Sequence, residues 1–243
     1  MIPILILILI GAFLTGLSKG GLGGALGALV TPLLALVMPA PVAIGLALPL
    51  LISGDIFALY AHWNGWDKHI ILAVLPSSIA GVLIGTLVLT NVSPALLEHA
   101  LGIVALLYTV YKLWERRSSK PAGFEPHAWQ AHAVGSATAI ASALANAGGP
   151  IFTIYLLMLR VTPAIFVGTS VLYFALVNAL KLPIYVGAHI LTPDSIIAVA
   201  WAIPLVPFGV WTGVILDRYI DMHTFENIIL VLLALTGGLL LLK

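Results

Sequence analysis

Between Ile2 and Met38 the chain carries one charged side chain, Lys19, and that charge stands inside a glycine-rich run, Ser18-Lys-Gly-Gly-Leu-Gly-Gly24. A helical membrane crossing needs about 20 apolar residues, and this tract is long enough to pass or nearly pass the bilayer twice. Further apolar tracts follow at about 43–62, 70–90, 95–114, 129–159, 164–186, 195–216 and 224–242. The fifth is interrupted again, at Asn146-Ala-Gly-Gly-Pro150. Hydrophobic residues make up 61% of the 243 and charged residues 8%, with a mean hydropathy of +1.16. Soluble domains have about 45–50% and about 25%, so the pattern specifies an all-α polytopic membrane protein with no room for a domain outside the bilayer. The strongly apolar first ten residues lack the basic n-region of a cleaved signal peptide and read as the first membrane helix.

Ten Lys/Arg against nine Asp/Glu give a net charge of +1, which supplies no basic surface for nucleic acid. With no cysteine, disulfides and thiolate metal sites are excluded. The histidines show no ligand spacing with a carboxylate companion, so neither a metal nor any other cofactor is expected. An intramembrane enzyme has little support: there is no His-Glu-x-x-His, no Gly-x-Ser-x-Gly and no pair of intramembrane aspartates.

The two halves resemble each other. Pro76, Gly81 and Gly85 recur as Pro204, Gly209 and Gly213 at an offset of 128, which also carries Glu98 to Glu226. Upstream the offset falls to 123, relating Gly45 to Gly168 and Asp55 to Asn178, and becomes 125 for Gly24 to Gly149. The solvated stretch from Glu115 to His127 separates the copies, giving a first repeat over 1–114, a basic cytoplasmic linker over 115–127 and a second repeat over 128–243. Residues 2–17 and 25–38 would reach about 24 and 21 Å as helices, each short of a hydrocarbon core of about 30 Å. They form either a hairpin that returns to its own side or one kinked crossing. With the linker inside, hairpins put Lys68, Lys112, Arg116, Arg117, Lys120, Arg160 and Arg218 inside and only Lys243 outside. The positive-inside rule therefore favours hairpins, so that each repeat is a broken-helix hairpin plus three transmembrane helices and the second is inverted relative to the first.

Backbone freed by a glycine break is tolerated at membrane depth only where protein buries it or a watery cavity receives it. In transporters with repeated halves such breaks aim helix N-terminal amides at anions. The two breaks therefore supply the candidate anion site: Lys19, Gly20, Gly21, Gly23 and Gly24 from the first, Asn146, Gly148 and Gly149 from the second. The alternative roles are close helix packing for the glycines, snorkelling to a headgroup for Lys19 and capping of the following helix for Asn146. Thr169 and Ser170, beside Gly168, are further candidates for the cavity wall. Asp55, thirteen residues into the second tract, either neutralises Lys19 or carries a proton, and His62 is the next proton-coupling candidate.

The runs Gly16-Leu-Ser-Lys-Gly-Gly-Leu-Gly-Gly24 and Val30-Thr-Pro-Leu-Leu34 resemble the first-half motif of the TauE/SafE family, also called sulfonate uptake permeases. Asn146-Ala-Gly-Gly-Pro150 and Val167-Gly-Thr-Ser170 resemble its second-half counterpart, although many members have three consecutive glycines at the second break. No lysine adjoins Asn146 in sequence to mirror Lys19. The resemblance covers essentially the whole chain and implies a permease or exporter of the bacterial inner membrane for sulfite, an organosulfonate or a related sulfur anion. A passive anion channel and a non-transporting scaffold are the other classes open to such a chain. Inverted halves have a direct consequence for topology. Reporter fusions should place the N-terminus and Lys243 outside and the 115–127 linker inside, whereas an inside N-terminus with an inside Lys243 would mean parallel halves.

Overall fold

The computed structural model describes residues 2–20, 25–115, 127–219 and 222–242. Among these the chain is entirely helical, in eleven helices. The first half holds α1 (Ile2–Lys19), α2 (Ala25–Ala35), α3 (Ala40–Ala61), α4 (Lys68–Asn91) and α5 (Pro94–Glu115). The second holds α6 (Ala128–Ala145), α7 (Gly149–Met158), α8 (Pro163–Gly187), α9 (Pro193–Ala200), α10 (Leu205–Tyr219) and α11 (Met222–Leu241). Four of them, α3, α4, α5 and α8, are long and apolar enough to cross a membrane, and α9 with α10, bent by 60°, make a fifth span if taken together. Exposed large hydrophobics such as Ile56, Leu72, Leu87 and Leu107 ring the outside, as a lipid solvent requires.

Helix ends follow local chemistry. The Asp67 side chain accepts from the amides of His69 and Ile70 at 2.8 and 3.3 Å and so starts α4. Thr192 caps α9 ahead of Pro193 in its first turn. Asn146 ends α6 in the left-handed conformation, φ 53°, with its amide on the Ser142 carbonyl. Asparagine is among the few non-glycine residues that visit this region routinely. Asn146 therefore closes the helix before the break rather than capping the one after it.

α2 folds back along α1, because Gly27 lies against Ser18 while Gly11 lies against Val30. The broken pair is a hairpin. Its first arm packs on the opposite half. Gly16 of α1 and Gly20 just after its end meet Gly209 and Gly213 of α10 backbone to backbone, in parallel. α6 does the same on α4: Gly81 meets Ser136 and Ala139, and Gly85 meets Ile140 and Ala143. The two seams superpose under a shift of 123 on the hairpin side and 128 on the other. The Pro-x4-Gly-x3-Gly recurrence thus marks the surface on which each half receives the other's hairpin, and small residues there let the helix backbones approach.

α3 and α8 run antiparallel across the centre. Gly45 touches the Ile190 backbone, Asp55 bonds Asn178, and Gly168 touches the Gly65 backbone. α5 and α11 pack through Gly102 and Gly237. A large apolar cluster, including Ile44, Leu48, Leu50, Leu101, Val206 and Leu240, joins the two halves around the hairpin of α1 and α2. A methyl added at Gly213 would lie 2.5 Å from the Leu17 carbonyl oxygen, with backbone on both sides, whereas one at Gly238 would meet nothing within 4 Å. Gly213→Ala should lower stability by about 1–3 kcal/mol through overpacking. Gly238→Ala should leave it unchanged or slightly raised, and thermal unfolding of the purified proteins compares the two directly.

Candidate functional site

Lys19 is the last residue of α1, where a cation complements the negative end of the helix dipole. Its Nζ donates to Asp55 Oδ1 at 2.5 Å, and Asp55 Oδ2 accepts from Asn178 Nδ2 at 2.6 Å. Asp55 is 3% exposed at the middle of α3, and Asn178 is buried on α8. One carboxylate thus joins α1, α3 and α8. The Lys19 side chain is 14% exposed, opens on a cavity of about 120 Å³ and stands 5.4 Å from the centre of the Phe174 ring. An ammonium has three donors, and Asp55 takes one of them.

The cavity lies between the two breaks. Ser18 and Lys19 come from α1, Gly27 from α2, Ser142 and Asn146 from the end of α6, Gly149 and Thr153 from α7, and Ser170, Phe174 and Asn178 from α8. Its size suits a small anion, since a water needs only about 10–15 Å³ on the same kind of measure. The Ser18 hydroxyl already accepts the Gly27 amide at 3.1 Å, which satisfies one N-terminal donor of α2 across the break.

A second polar chain runs beside the first. Lys181 of α8 is fully buried and donates to Asn146 Oδ1 at 2.7 Å, the Ser142 hydroxyl at 3.2 Å and the Ser142 carbonyl at 3.4 Å. Asn146 passes the connection on through Nδ2 to Thr31 Oγ1 at 3.0 Å and the Ile44 carbonyl at 3.5 Å. The Asn146 amide is thereby committed to protein partners on α2, α3 and α8. Its part in the site is to hold the second break against the first hairpin.

Of the residues singled out from sequence, Lys19, Asn146, Gly149 and Ser170 come together on the cavity wall, with Asp55 directly behind Lys19. Gly20 sits in the seam with α10, and Gly148 lies against Thr138 and Ser142 of α6. Gly21, Gly23 and Gly24 lie outside the described residues. Thr169 is buried, but its hydroxyl accepts the Asp67 amide at 2.9 Å and ties α8 to the turn before α4. His62 ends α3 seven residues beyond Asp55, about 10 Å along the helix. It does not line the cavity.

Sequence reasoning left out Lys181, although an ionisable residue in the middle of an apolar helix is a site candidate by default. The signal was present: Asn178 and Lys181, three apart, share a helix face. Among the described residues no group of three or more His, Asp or Glu is placed to hold a metal.

The family model described as Sulfite exporter TauE/SafE matches residues 8–240. No curated protein and no solved structure matches the chain. With nearly the whole length covered, on an all-helical frame with four or five candidate membrane spans, the chain belongs to the TauE/SafE sulfite exporter family.

Proposed function

We propose that this multi-pass membrane protein is a secondary transporter for a small sulfur-containing anion, sulfite or an organosulfonate, bound at Lys19 between the two broken hairpins. One observation carries the reading: a half-buried lysine whose charge is balanced by an aspartate stands on a cavity of anion size between two helix breaks. In the empty site Asp55 is the countercharge. An arriving anion competes with it for Lys19, so the protein holds a charged site in the membrane without leaving that lysine unpaired. A carboxylate relieved of its cation takes up a proton more readily, which allows a proton to travel with the anion.

The packing supports an inverted duplication as the frame of this transporter. Equivalent helices α3 and α8 cross antiparallel, which requires a pseudo-two-fold axis lying across them, in the membrane plane. The parallel seams of α1 on α10 and α6 on α4 follow from the same operation. Such a frame exposes a central site to either side by rocking one set of helices against the other.

Lys19→Ala should weaken binding of the best ligand among sulfite, sulfate, thiosulfate, sulfoacetate and taurine by about tenfold to a hundredfold, the worth of a charged hydrogen bond of about 1.5–3 kcal/mol. Lys19→Arg should restore part of it, as read by ligand-induced thermal shift. Wild-type affinity in the alanine variant would make Lys19 a snorkelling residue. Sulfite flux into proteoliposomes tests the coupling. Asp55→Asn should keep anion binding and lose the response to a pH gradient, whereas a variant that responds like the parent would pass the proton-coupling role to His62. Saturable flux distinguishes a carrier from a channel.

A further inference from the structure

Lys181 is the buried charge that the transport scheme does not use. It is completely enclosed, and its three partners, Asn146 Oδ1, Ser142 Oγ and the Ser142 carbonyl, are all neutral. Burying a cation without a countercharge costs several kcal/mol, and such charges are ordinarily paired. The nearest carboxylate, Asp55, is already committed through Oδ1 to Lys19 and through Oδ2 to Asn178, one helical turn from Lys181. Two of the Lys181 partners, Ser142 and Asn146, also form the cavity wall, which puts the ammonium one side chain behind the ligand space.

Among the described residues, the charged groups of this cluster are Lys19 from α1, Asp55 from α3 and Lys181 from α8. Tyr185 of α8, whose ring lies 5.9 Å from Lys181 Nζ, is the other titratable neighbour, and its hydroxyl donates to the Ala143 carbonyl. α2, α6 and α7 bring only the Thr31, Ser142 and Thr153 hydroxyls, with Asn146 at the break, and α10 brings Val206 against Gly54 of α3. Glu98 and Asp194 stand near the starts of α5 and α9. With both lysines protonated, the cluster carries two cations against one anion.

From this imbalance we infer that Lys181 is a specificity-determining residue that sets the valence of the transported anion, so that the site closes its charge balance with one negative charge. The inference rests on the anion site proposed above and refines its chemistry. A monovalent sulfonate or hydrogen sulfite neutralises the cluster as it stands. A dianion such as sulfate brings one charge too many and is accommodated when Asp55 takes up a proton. Proton uptake then accompanies dianions and not monoanions. Lys181 acts through space, since charges in a low-dielectric interior interact strongly over several ångströms.

The experiment measures binding to the purified full-length protein by calorimetry, with methanesulfonate as the monoanion and sulfate as the dianion, at pH 6 and pH 8. In the parent, sulfate affinity should rise about tenfold or more relative to methanesulfonate affinity from pH 8 to pH 6, as linkage to an additional proton requires. Lys181→Gln, which keeps donors for Asn146 and Ser142 but removes the charge, should lose about tenfold or more in methanesulfonate affinity. Lys181→Arg should recover part of that loss. A purely structural Lys181 would weaken both anions alike and leave the pH profiles unchanged, and that result overturns the inference. So does a folded Lys181→Gln protein that binds methanesulfonate as the parent does. If the glutamine variant fails to fold, the parent decides alone: sulfate and methanesulfonate with the same pH dependence overturn the valence rule. Failure of both anions to bind the parent is a different outcome, since it removes the anion site itself.

Discussion

The centre of this molecule is a carboxylate shared between three helices. Asp55 takes a lysine from α1 on one oxygen and an asparagine from α8 on the other. In hydrocarbon neither the lysine nor the aspartate is tolerable alone, and replacing one partner strands the other. A well-packed apolar trio would hold the helices at least as firmly, so stability alone does not account for the pair. Its value is that it can be opened. In the transport scheme proposed above, an anion at Lys19 substitutes for the carboxylate with little change in the charge the lysine sees, and the bond between α1 and α3 is exchanged for one through the ligand.

Around that centre several helix pairs touch through backbone at glycine. Water drives no association between apolar helices inside a bilayer, where lipid tails are as apolar as leucine. Close approach at Gly16, Gly20, Gly81, Gly85, Gly209 and Gly213 provides dispersion contacts instead. The seams lie between halves and not within them: α1 is fixed to α10, and α6 to α4. The first arm of each hairpin is consequently packed on a helix of the other half.

Much of this was legible in the sequence because glycine and charge are rare events against an apolar background. The recurrence of Gly81 and Gly85 as Gly209 and Gly213 pointed to a duplication, and Lys19 and Asp55 stood out as intramembrane charges. The drift in offset has a physical source. α9 and its 60° bend against α10 insert extra chain between α8 and the second seam, which moves the shift from 123 to 128. Other features depend on contacts remote in sequence. Nothing adjacent to Asn146 announces that Lys181 and Thr31 will consume its amide. Thr169 follows Gly168 in a promising motif, yet the helix turns its hydroxyl to the Asp67 amide while Ser170 faces the cavity. Consecutive positions on a helix point about 100° apart, and sequence supplies no phase for that rotation.

Under the inverted duplication proposed above, Asp55 and Asn178 are each other's counterparts at the shift of 123, and they meet directly. In an assembly of two identical chains such a position is bound to hold the same residue twice. Two aspartates there would set carboxylate against carboxylate, and one would be forced to keep its proton. Two asparagines would leave Lys19 without a countercharge. Joining both halves in a single polypeptide lifts that identity and lets an acid face an amide. A single polypeptide can therefore station one negative charge where an assembly of identical chains could not.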